Sequence, residues 1–225
     1  MGDSGDQRKR IVESGYDRMG ERYLEWGATI EGDPRQRMVA EFSSRLPAGA
    51  RVLDLGCGAG IPSTQRLAQR FNVLGVDISR SQLELARRNV PEAEFILGDF
   101  AELQLPERAF QGVVALYAVP HLPREQHAQL FVDVFRWLAH GGIFLATLGT
   151  TDSPDWVGEW LGEQMFFSSH DADANRRLMR AAGFDLQVDE IATTHEPEGN
   201  VSFLWVIGQK PAAGHGRLAT TARTT

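Results

Sequence analysis

The stretch VLDLGCGAG, from Val52 to Gly60, joins a short apolar run to three glycines at alternating positions. The run is typical of a buried strand, and the glycines are typical of a turn where backbone comes close to a ligand. Asp54 places a carboxylate inside the run, two residues before the first glycine. The stretch therefore predicts a strand, a ligand-binding turn and a following helix.

Strands and helices alternate downstream of this turn. Because strands that alternate with helices pair in parallel, the pattern predicts an α/β fold, and the continuous apolar runs indicate that helices cover both faces of the sheet. The predicted strands are 51–55, 72–77, 94–99, 112–118 and 143–149. The predicted helices between them are 60–70, 79–90 and 123–139.

The flanking regions predict further elements. Two helices precede the first strand, one from Ile11 to about Trp26 and one from Asp33-Pro34 to Leu46-Pro47. After residue 150 an aromatic-rich stretch leads into a helix, and two more strands follow as an antiparallel hairpin. This later helix covers 171–182, and the two strands cover 184–194 and 201–209. We predict one domain over 11–210, a disordered N-terminus over 1–10 and a disordered tail over 211–225.

The composition is that of a soluble globular protein, with 225 residues of which 42% are hydrophobic and 24% charged. The net charge of −7 disfavours nucleic acid as a partner, because an acidic average field repels phosphates. The single cysteine, Cys57, has no partner for an internal disulfide and indicates a reducing compartment. The sequence has no apolar signal core and no apolar run of ~20 residues, so we expect a cytoplasmic protein without a membrane partner. We also expect a monomer or a homodimer.

Two features of the glycine turn separate two ligand classes. Dinucleotide sites use the spacing G-x-G-x-x-G, but Ile61 stands where the third glycine would let the helix pack tightly. A carboxylate at ~4 Å from a pyrophosphate would cost about 4 kcal/mol at an effective dielectric of ~20, whereas it would attract an ammonium group. Asp54 therefore favours a ligand with an amino-acid end, such as S-adenosylmethionine.

Two more acids close the next two predicted strands. Asp77 is placed to accept hydrogen bonds from both hydroxyls of a ribose. Asp99 is placed to accept from an adenine amino group, while Phe100 packs against the ring. Since the carboxyl ends of parallel strands meet at one edge, the three acids predict a single binding edge.

Residues 11–209 resemble the class I S-adenosylmethionine-dependent methyltransferases. The resemblance is carried by VLDLGCGAG, GVDIS (75–79), GDF (98–100) and VVALYAVPHL (113–122). It implies a Rossmann-like, seven-stranded, mostly parallel sheet that ends in an antiparallel hairpin, and a product S-adenosylhomocysteine. It also implies a helical lid over 11–48 that folds onto the cofactor and an insert over 150–170 that covers the acceptor. One departure is Gln111, where the family often has an acid before the fourth strand.

The resemblance also implies two sets of site residues. The cofactor set is Tyr16, Tyr23, Asp54, Gly56, Cys57, Gly58, Gly60, Pro62, Asp77, Ile78, Gln82, Gly98, Asp99, Phe100, Leu116, Tyr117 and His121. The acceptor set is Tyr117, Trp156, Trp160, Met165 and His170.

Several of these residues also have a plainer interpretation. Cys57 is either a small residue in a tight loop or a nucleophile, and the tyrosines at 16 and 23 are either cofactor contacts or helix-packing aromatics. The insert over 150–170 is either an acceptor lid or a segment that packs on the sheet. The sequence leaves these alternatives open.

Methyl transfer from a sulfonium is an in-line displacement, which needs alignment more than a particular side chain. His121, after the fourth strand, is the first candidate for a general base, and otherwise caps the next helix or lines the pocket. His195, near the end of the sixth strand, is the second candidate, and otherwise an exposed hairpin residue. No two histidines have metal-ligand spacing, so we expect no metal.

The acceptor class follows from the insert and from a missing motif. The insert is aromatic and poor in charge, and the fourth strand ends in LYAVPH without the Asn/Asp-Pro-Pro-Tyr sequence of nucleobase amino-methylation. We therefore expect a small, partly apolar organic acceptor. The alternatives are a methyltransferase for tRNA, rRNA or protein, a non-catalytic cofactor-binding protein and a nicotinamide-dependent oxidoreductase.

Overall fold

The computed structural model describes residues 3–213, which form seven α-helices and nine β-strands. The helices are α1 (Asp3–Met19), α2 (Arg22–Gly27), α3 (Arg35–Ser44), α4 (Ser63–Ala68), α5 (Arg80–Asn89), α6 (His127–Trp137) and α7 (Ala172–Ala182). The strands are β1 (Arg51–Leu55), β2 (Asn72–Asp77), β3 (Glu94–Leu97), β4 (Phe110–Ala115), β5 (Leu138–Gly149), β6 (Ser153–Trp160), β7 (Glu163–Ser169), β8 (Asp185–Glu196) and β9 (Gly199–Gln209).

Seven strands form one sheet in the order β3-β2-β1-β4-β5-β9-β8. The first five strands in that order are parallel, and β9 is antiparallel to both β5 and β8. The predicted seven-stranded, mostly parallel sheet with a terminal antiparallel hairpin is confirmed. In the register Leu55 lies opposite Val76, and Asp77 lies opposite Leu97, so β1, β2 and β3 end at one edge.

Two hydrophobic layers cover the sheet. One layer includes α6 and α7. Phe131 and Trp137 of α6 are buried against the sheet. The other includes α3, which buries Met38 and Phe42. Because both faces are covered, β1 is buried from Val52 to Leu55 without alternation. Each large side chain buried in this way contributes about 1.5–3 kcal/mol to folding.

The N-terminal helices differ from the sequence prediction. The segment predicted as one helix from Ile11 to about Trp26 is two helices, α1 and α2, separated at Gly20–Glu21. Residues 3–10, predicted to be disordered, belong to α1. Residues 1–2 and 214–225, also predicted to be disordered, lie outside the described residues.

The other differences concern β5 and the insert. The helix predicted over 123–139 ends at Trp137, and β5 begins at Leu138, five residues before the predicted strand. The insert forms an antiparallel hairpin, β6–β7, which is a separate two-stranded sheet that the sequence did not predict. No helix among the described residues is long and apolar enough to span a membrane.

The β6–β7 hairpin is fastened to α1 and α2. A Cβ added at Gly15 would lie 2.2 Å from Sδ of Met165, so the absence of a side chain allows α1 to approach β7 closely. Glu163 at the start of β7 pairs with Arg18 at 2.6 Å and with Arg22 at 2.9 Å. The first two helices and the hairpin therefore make a joint cover at the carboxyl edge of the sheet.

Candidate functional site

Two cavities lie under this cover. The smaller, which we call the glycine-loop cavity, has a volume of about 50 Å³ and lies at the ends of β1 and β2. The larger, which we call the aromatic cavity, has a volume of about 430 Å³ and lies between α1–α2, β6–β7 and β8–β9. Both are lined by Tyr16, Tyr23, Tyr117 and His121, which form a shared wall. Ligands in the two cavities would therefore meet at that wall.

The turn after β1 needs glycine for two different reasons. Gly56 has φ +70° and leaves no space for a side chain, because an added Cβ would lie 2.4 Å from Cβ of Ala118. Gly58 has φ +54°, and the nearest atom to an added Cβ is 3.9 Å away. The positive φ of Gly58 is therefore its reason for being glycine, and its place in the lining of the glycine-loop cavity lets a ligand approach its backbone.

Asp77 ends β2 and holds the glycine turn in place. Its Oδ2 accepts a hydrogen bond from the backbone N–H of Gly58 at 2.8 Å, and its Oδ1 accepts from the backbone N–H of Ser79 at 2.9 Å. Burial raises the pKa of Asp77 to about 6, although both hydrogen bonds oppose the shift. Asp77 lines the glycine-loop cavity, so a ligand hydroxyl can reach a carboxylate that is already oriented.

Asp54 lies behind the turn. Its side chain is 2% exposed, and its Oδ2 accepts a hydrogen bond from the Thr64 hydroxyl at 2.7 Å. Burial raises the pKa of Asp54 to about 6, and the bond from Thr64 opposes this. Asp54 is not among the described residues that line the glycine-loop cavity, and its contact with a ligand ammonium stays a prediction.

Other predicted cofactor residues also lie outside that lining. Asp99 pairs with Lys9 of α1, and Lys9 also pairs with Glu102 at 3.1 Å. Gln82 is fully buried and donates to the carbonyl of Gly20 at 2.9 Å, while its Oε1 has no hydrogen-bond partner among the described residues. The remaining residues in this group are Cys57, Gly60, Pro62 and Gly98.

Cys57 has the chemistry of a packing residue. Burial raises the pKa of its thiol well above the usual value, and the carboxylates of Asp77 and Asp54 raise it further. The thiol therefore stays protonated at neutral pH, which disfavours a nucleophilic role.

Pro62 lines a third surface depression with Tyr23 and Arg35.

Ten predicted residues do meet in the glycine-loop cavity. They are Tyr16, Tyr23, Gly56, Gly58, Asp77, Ile78, Phe100, Leu116, Tyr117 and His121. Val12 and Ala118 also line this cavity and were not predicted. Both are small apolar residues without chemical character, so no sequence signal marked them.

His121 and Tyr16 form a hydrogen-bonded pair in the shared wall. Nδ1 of His121 lies 3.0 Å from the carbonyl oxygen of Phe166, which can only accept, so Nδ1 carries the proton. Nε2 is then the acceptor, and the Tyr16 hydroxyl donates to it at 2.8 Å. Burial lowers the pKa of His121 to about 4, so the imidazole is neutral at pH 7.

Aromatic rings make up most of the larger cavity. The centroids of Trp26 and Trp160 are 4.9 Å apart with planes at 82°, and those of Tyr16 and Tyr23 are 5.1 Å apart, also at 82°. The ring of Phe167 meets that of Trp160 edge-on at 5.6 Å. These edge-to-face contacts are the favoured geometry for aromatic pairs and stiffen the wall. Trp156 and Trp160 line the cavity, and their contact with an acceptor stays a prediction.

Arg35 is a cation in the wall of the aromatic cavity. Its Nε lies 3.1 Å from Oδ2 of Asp33, and its guanidinium stacks 4.6 Å above the ring of Tyr117. The Tyr117 hydroxyl donates to Oδ1 of the same Asp33 at 2.8 Å. The charge of Arg35 is therefore balanced by a neighbouring carboxylate.

Three of the residues predicted as acceptor contacts or bases lie outside the linings of both cavities. Met165 is fully buried in an apolar cluster with Val12 and Met19, because α1 covers this part of β7. His170 hydrogen-bonds the carbonyl of Arg124 at 3.1 Å, away from the lining. His195 is exposed and lies 2.7 Å from Oδ1 of Asn200 in the β8–β9 hairpin. The structure thus gives no support to an acceptor contact for Met165 or His170, or to His195 as a base.

Sequence reasoning also missed residues of the aromatic cavity. Trp26 follows Tyr23 at helical spacing, so the two side chains lie on the same face of a helix. This spacing could have predicted that Trp26 lines the same cavity as Tyr23. Glu196 and Glu198, which follow the first of the two predicted hairpin strands, were not predicted as site residues. No group of three or more His, Cys, Asp or Glu side chains within residues 3–213 is arranged to hold a metal ion.

Comparisons with known proteins agree with this architecture. Residues 52–142 match the family model of a methyltransferase domain. A trans-aconitate 2-methyltransferase of Variovorax paradoxus is 40% identical over 128 residues, which are 53% of this chain and 48% of that protein. A sterol 24-C-methyltransferase of Aspergillus fumigatus is 28% identical over 138 residues, 53% of this chain and 36% of that protein. The matches therefore span less than half the length of these relatives.

A solved structure shows the same fold over most of the chain. It is the 1,6-didemethyltoxoflavin-N1-methyltransferase of Burkholderia thailandensis, with bound 1,6-didemethyltoxoflavin and S-adenosylhomocysteine. The TM-score is 0.70 at 19% identity, and the match covers 92% of this chain and 91% of that one. At this identity the likeness establishes the fold alone.

Proposed function

We propose that this chain, a class I S-adenosylmethionine-dependent methyltransferase whose residues 52–142 match the family model of a methyltransferase domain, transfers a methyl group from S-adenosylmethionine to a small, partly apolar organic acceptor. The observation that carries the proposal is the shared wall. A cavity at the glycine turn and a larger aromatic cavity meet at Tyr16, Tyr23, Tyr117 and His121. Such an arrangement brings a donor and an acceptor together at one place.

The chemistry of the glycine-loop cavity fits the cofactor. Gly58 offers backbone in the cavity lining, Asp77 offers an oriented carboxylate for ribose hydroxyls, and Phe100 offers an apolar wall for a base. The volume of about 50 Å³ is smaller than a nucleoside, and we infer that α1, which contributes Val12 and Tyr16 to the lining, moves outward when the cofactor enters. This supports α1 as the moving part of the predicted lid over 11–48.

The residues of the shared wall align and shield the reaction. When bound, the cofactor supplies an electrophilic methyl group on a sulfonium, and the acceptor lone pair must approach it in line with the breaking carbon–sulfur bond. Good orientation of the two partners is worth about 7–11 kcal/mol of the barrier. The aromatic rings around the wall exclude water from this place.

His121 acts on the acceptor through Tyr16. Its Nε2 is occupied by the Tyr16 hydroxyl, and its neutral state agrees with a hydrogen-bond acceptor that holds Tyr16 in one orientation. The oxygen of a Tyr16 hydroxyl oriented in this way can accept a hydrogen bond from the acceptor molecule or from the neighbouring Tyr23. We therefore propose His121 as a positioning residue, where the sequence alone predicted a general base.

The proposed acceptor differs from trans-aconitate, the substrate in the name of the Variovorax paradoxus relative. Trans-aconitate carries three carboxylates, and Arg35, the cation in the described lining, is already paired with Asp33. The cavity therefore supplies little positive charge for such a substrate, and its aromatic wall fits a more apolar molecule.

The experiment is a binding and turnover assay on the full chain. Calorimetry should show binding of S-adenosylhomocysteine, and incubation with S-adenosylmethionine and a pool of small acceptors should yield S-adenosylhomocysteine. Binding of a nicotinamide dinucleotide in place of the methyl donor would contradict the cofactor. Binding without turnover on small acceptors would favour a non-catalytic protein, and turnover on tRNA, rRNA or protein would favour a macromolecular acceptor.

A further inference from the structure

We propose that the acceptor carries an amino group that is protonated at neutral pH, and that the aromatic cavity anchors this ammonium at the end formed by Glu196 and Glu198. The inference rests on the proposed function, because it names the substrate class of the same acceptor site. It follows from the charges in the cavity wall and from the order of the rings that lead to them.

The charged side chains of the described lining are one arginine and two glutamates. Arg35 is paired with Asp33 at 3.1 Å, and His121 is neutral. Glu196 and Glu198 therefore leave the cavity with an excess of negative charge. A cationic group compensates this excess, whereas a carboxylate would be repelled by it.

A row of aromatic rings connects the shared wall to Glu198. The ring of Tyr16 contacts that of Tyr23 at 5.1 Å, and Tyr23 stacks on Trp26 with centroids 6.0 Å apart. Nε1 of Trp26 donates a hydrogen bond to Oε2 of Glu198 at 3.1 Å. The acidic end is thus fixed to the aromatic wall, and the faces of Trp and Tyr rings attract cations.

Glu196 lines the same cavity as this row. It is half-buried, and the buried Thr194 hydroxyl lies 3.4 Å from its Oε1. Burial raises the pKa of Glu196, and the negative charges of Glu198 and Asp33 raise it further. A bound ammonium relieves this repulsion, so the free protein is prepared for a cation.

The ammonium group bound at the acidic end and the atom that is methylated are different parts of the acceptor. A protonated nitrogen has no lone pair and cannot attack a methyl group. The anchored ammonium is therefore a recognition group, and the atom that receives the methyl lies at the other end of the acceptor, near Tyr16 and His121.

The test uses three probes with the same indole body and different ends: tryptamine, indole-3-ethanol and indole-3-propionate. Each is titrated by calorimetry into the full chain saturated with S-adenosylhomocysteine. We expect tryptamine to bind ~10-fold more tightly than the alcohol, and the carboxylate to bind most weakly. Equal affinities, a preference for the carboxylate or no binding of tryptamine at millimolar concentration would overturn the proposal.

Variants locate the preference. The double change Glu196→Gln and Glu198→Gln should remove the advantage of tryptamine and leave the alcohol unaffected. Glu190→Gln is the matched control, because Glu190 also lies on β8 but pairs with Arg37 outside the cavity lining. An unchanged advantage in the double variant would overturn the placement at these glutamates. Absence of S-adenosylhomocysteine binding would instead contradict the proposed function itself, so the two failures are distinguishable.

Discussion

The Tyr16 hydroxyl donates a 2.8 Å hydrogen bond to Nε2 of His121 across the wall that separates the two cavities. Tyr16 belongs to α1, and His121 ends a short 3₁₀ turn after β4. The bond therefore fastens the N-terminal helix to the carboxyl edge of the sheet. Both partners are buried, so replacing either one leaves the polar atom of the other without a hydrogen-bond partner.

Tyr16→Phe tests this bond. The change leaves Nε2 of His121 buried without a donor, so the free energy of unfolding should fall by about 1–3 kcal/mol. Urea denaturation measures this, and methyl transfer should slow while the affinity for S-adenosylhomocysteine changes little. Unchanged stability and unchanged turnover together would show that the bond has no role.

Asp77→Asn tests the ribose contact. The amide has one oxygen in place of two and no charge, so the affinity for S-adenosylhomocysteine should fall by about 1–3 kcal/mol, as measured by calorimetry. Asp185→Asn is the control, since Asp185 is exposed at the start of β8. An affinity equal to that of the control would remove Asp77 from the cofactor site.

Lys9→Met tests the attachment of α1 over the cofactor site. The change frees Asp99 and Glu102 from their ion pairs with α1, so α1 amides should exchange hydrogen faster, and S-adenosylhomocysteine should associate faster. Hydrogen exchange with mass spectrometry and stopped-flow binding measure the two effects. Arg177→Met on the exposed side of α7 is the control. Protection of α1 equal to that in the control would contradict a latch at Lys9.

His127 should make the stability depend on pH in the acid range. Burial lowers its pKa from 6.5 to about 4, so the unfolded chain binds more protons between these values and the folded state loses stability as the pH falls. From pH 7 to pH 5 this amounts to about 2 kcal/mol for one such histidine.

His127→Gln isolates this effect. Asp54 and Asp77, whose pKa values are raised to about 6, act in the opposite direction because their folded forms take up protons first. These contributions cancel when the variant is compared with the unchanged protein at both pH values. Urea denaturation should therefore show a smaller acid loss in the variant, and equal losses would refute the buried neutral state of His127.

The sheet and the edge at which β1, β2 and β3 end could be predicted because local patterns determine them. The run from Val52 to Leu55, the glycines after it and Asp77 at the end of β2 are each readable within a few residues. The position of Asp54 at this edge was predicted as well, but its bond to Thr64 depends on how α4 packs and was not.

The covers of the site could not be predicted in the same way. The β6–β7 hairpin has large aromatic residues without a clear alternation, and its place depends on contacts with α1, far away in the chain. The same holds for Glu198, whose bond to Trp26 joins opposite ends of the sequence. Such pairings depend on tertiary packing, for which one sequence has no local signal.

The ion pairs that Glu163 makes with Arg18 and Arg22 have a kinetic consequence. Since they tie the hairpin to the N-terminal helices, we expect α1 and the hairpin to move together, and an outward swing of α1 would then open both cavities. The methyl donor should therefore load first and its spent form leave last, as a compulsory-order mechanism. Product-inhibition patterns would reveal that order without any substitution in the chain.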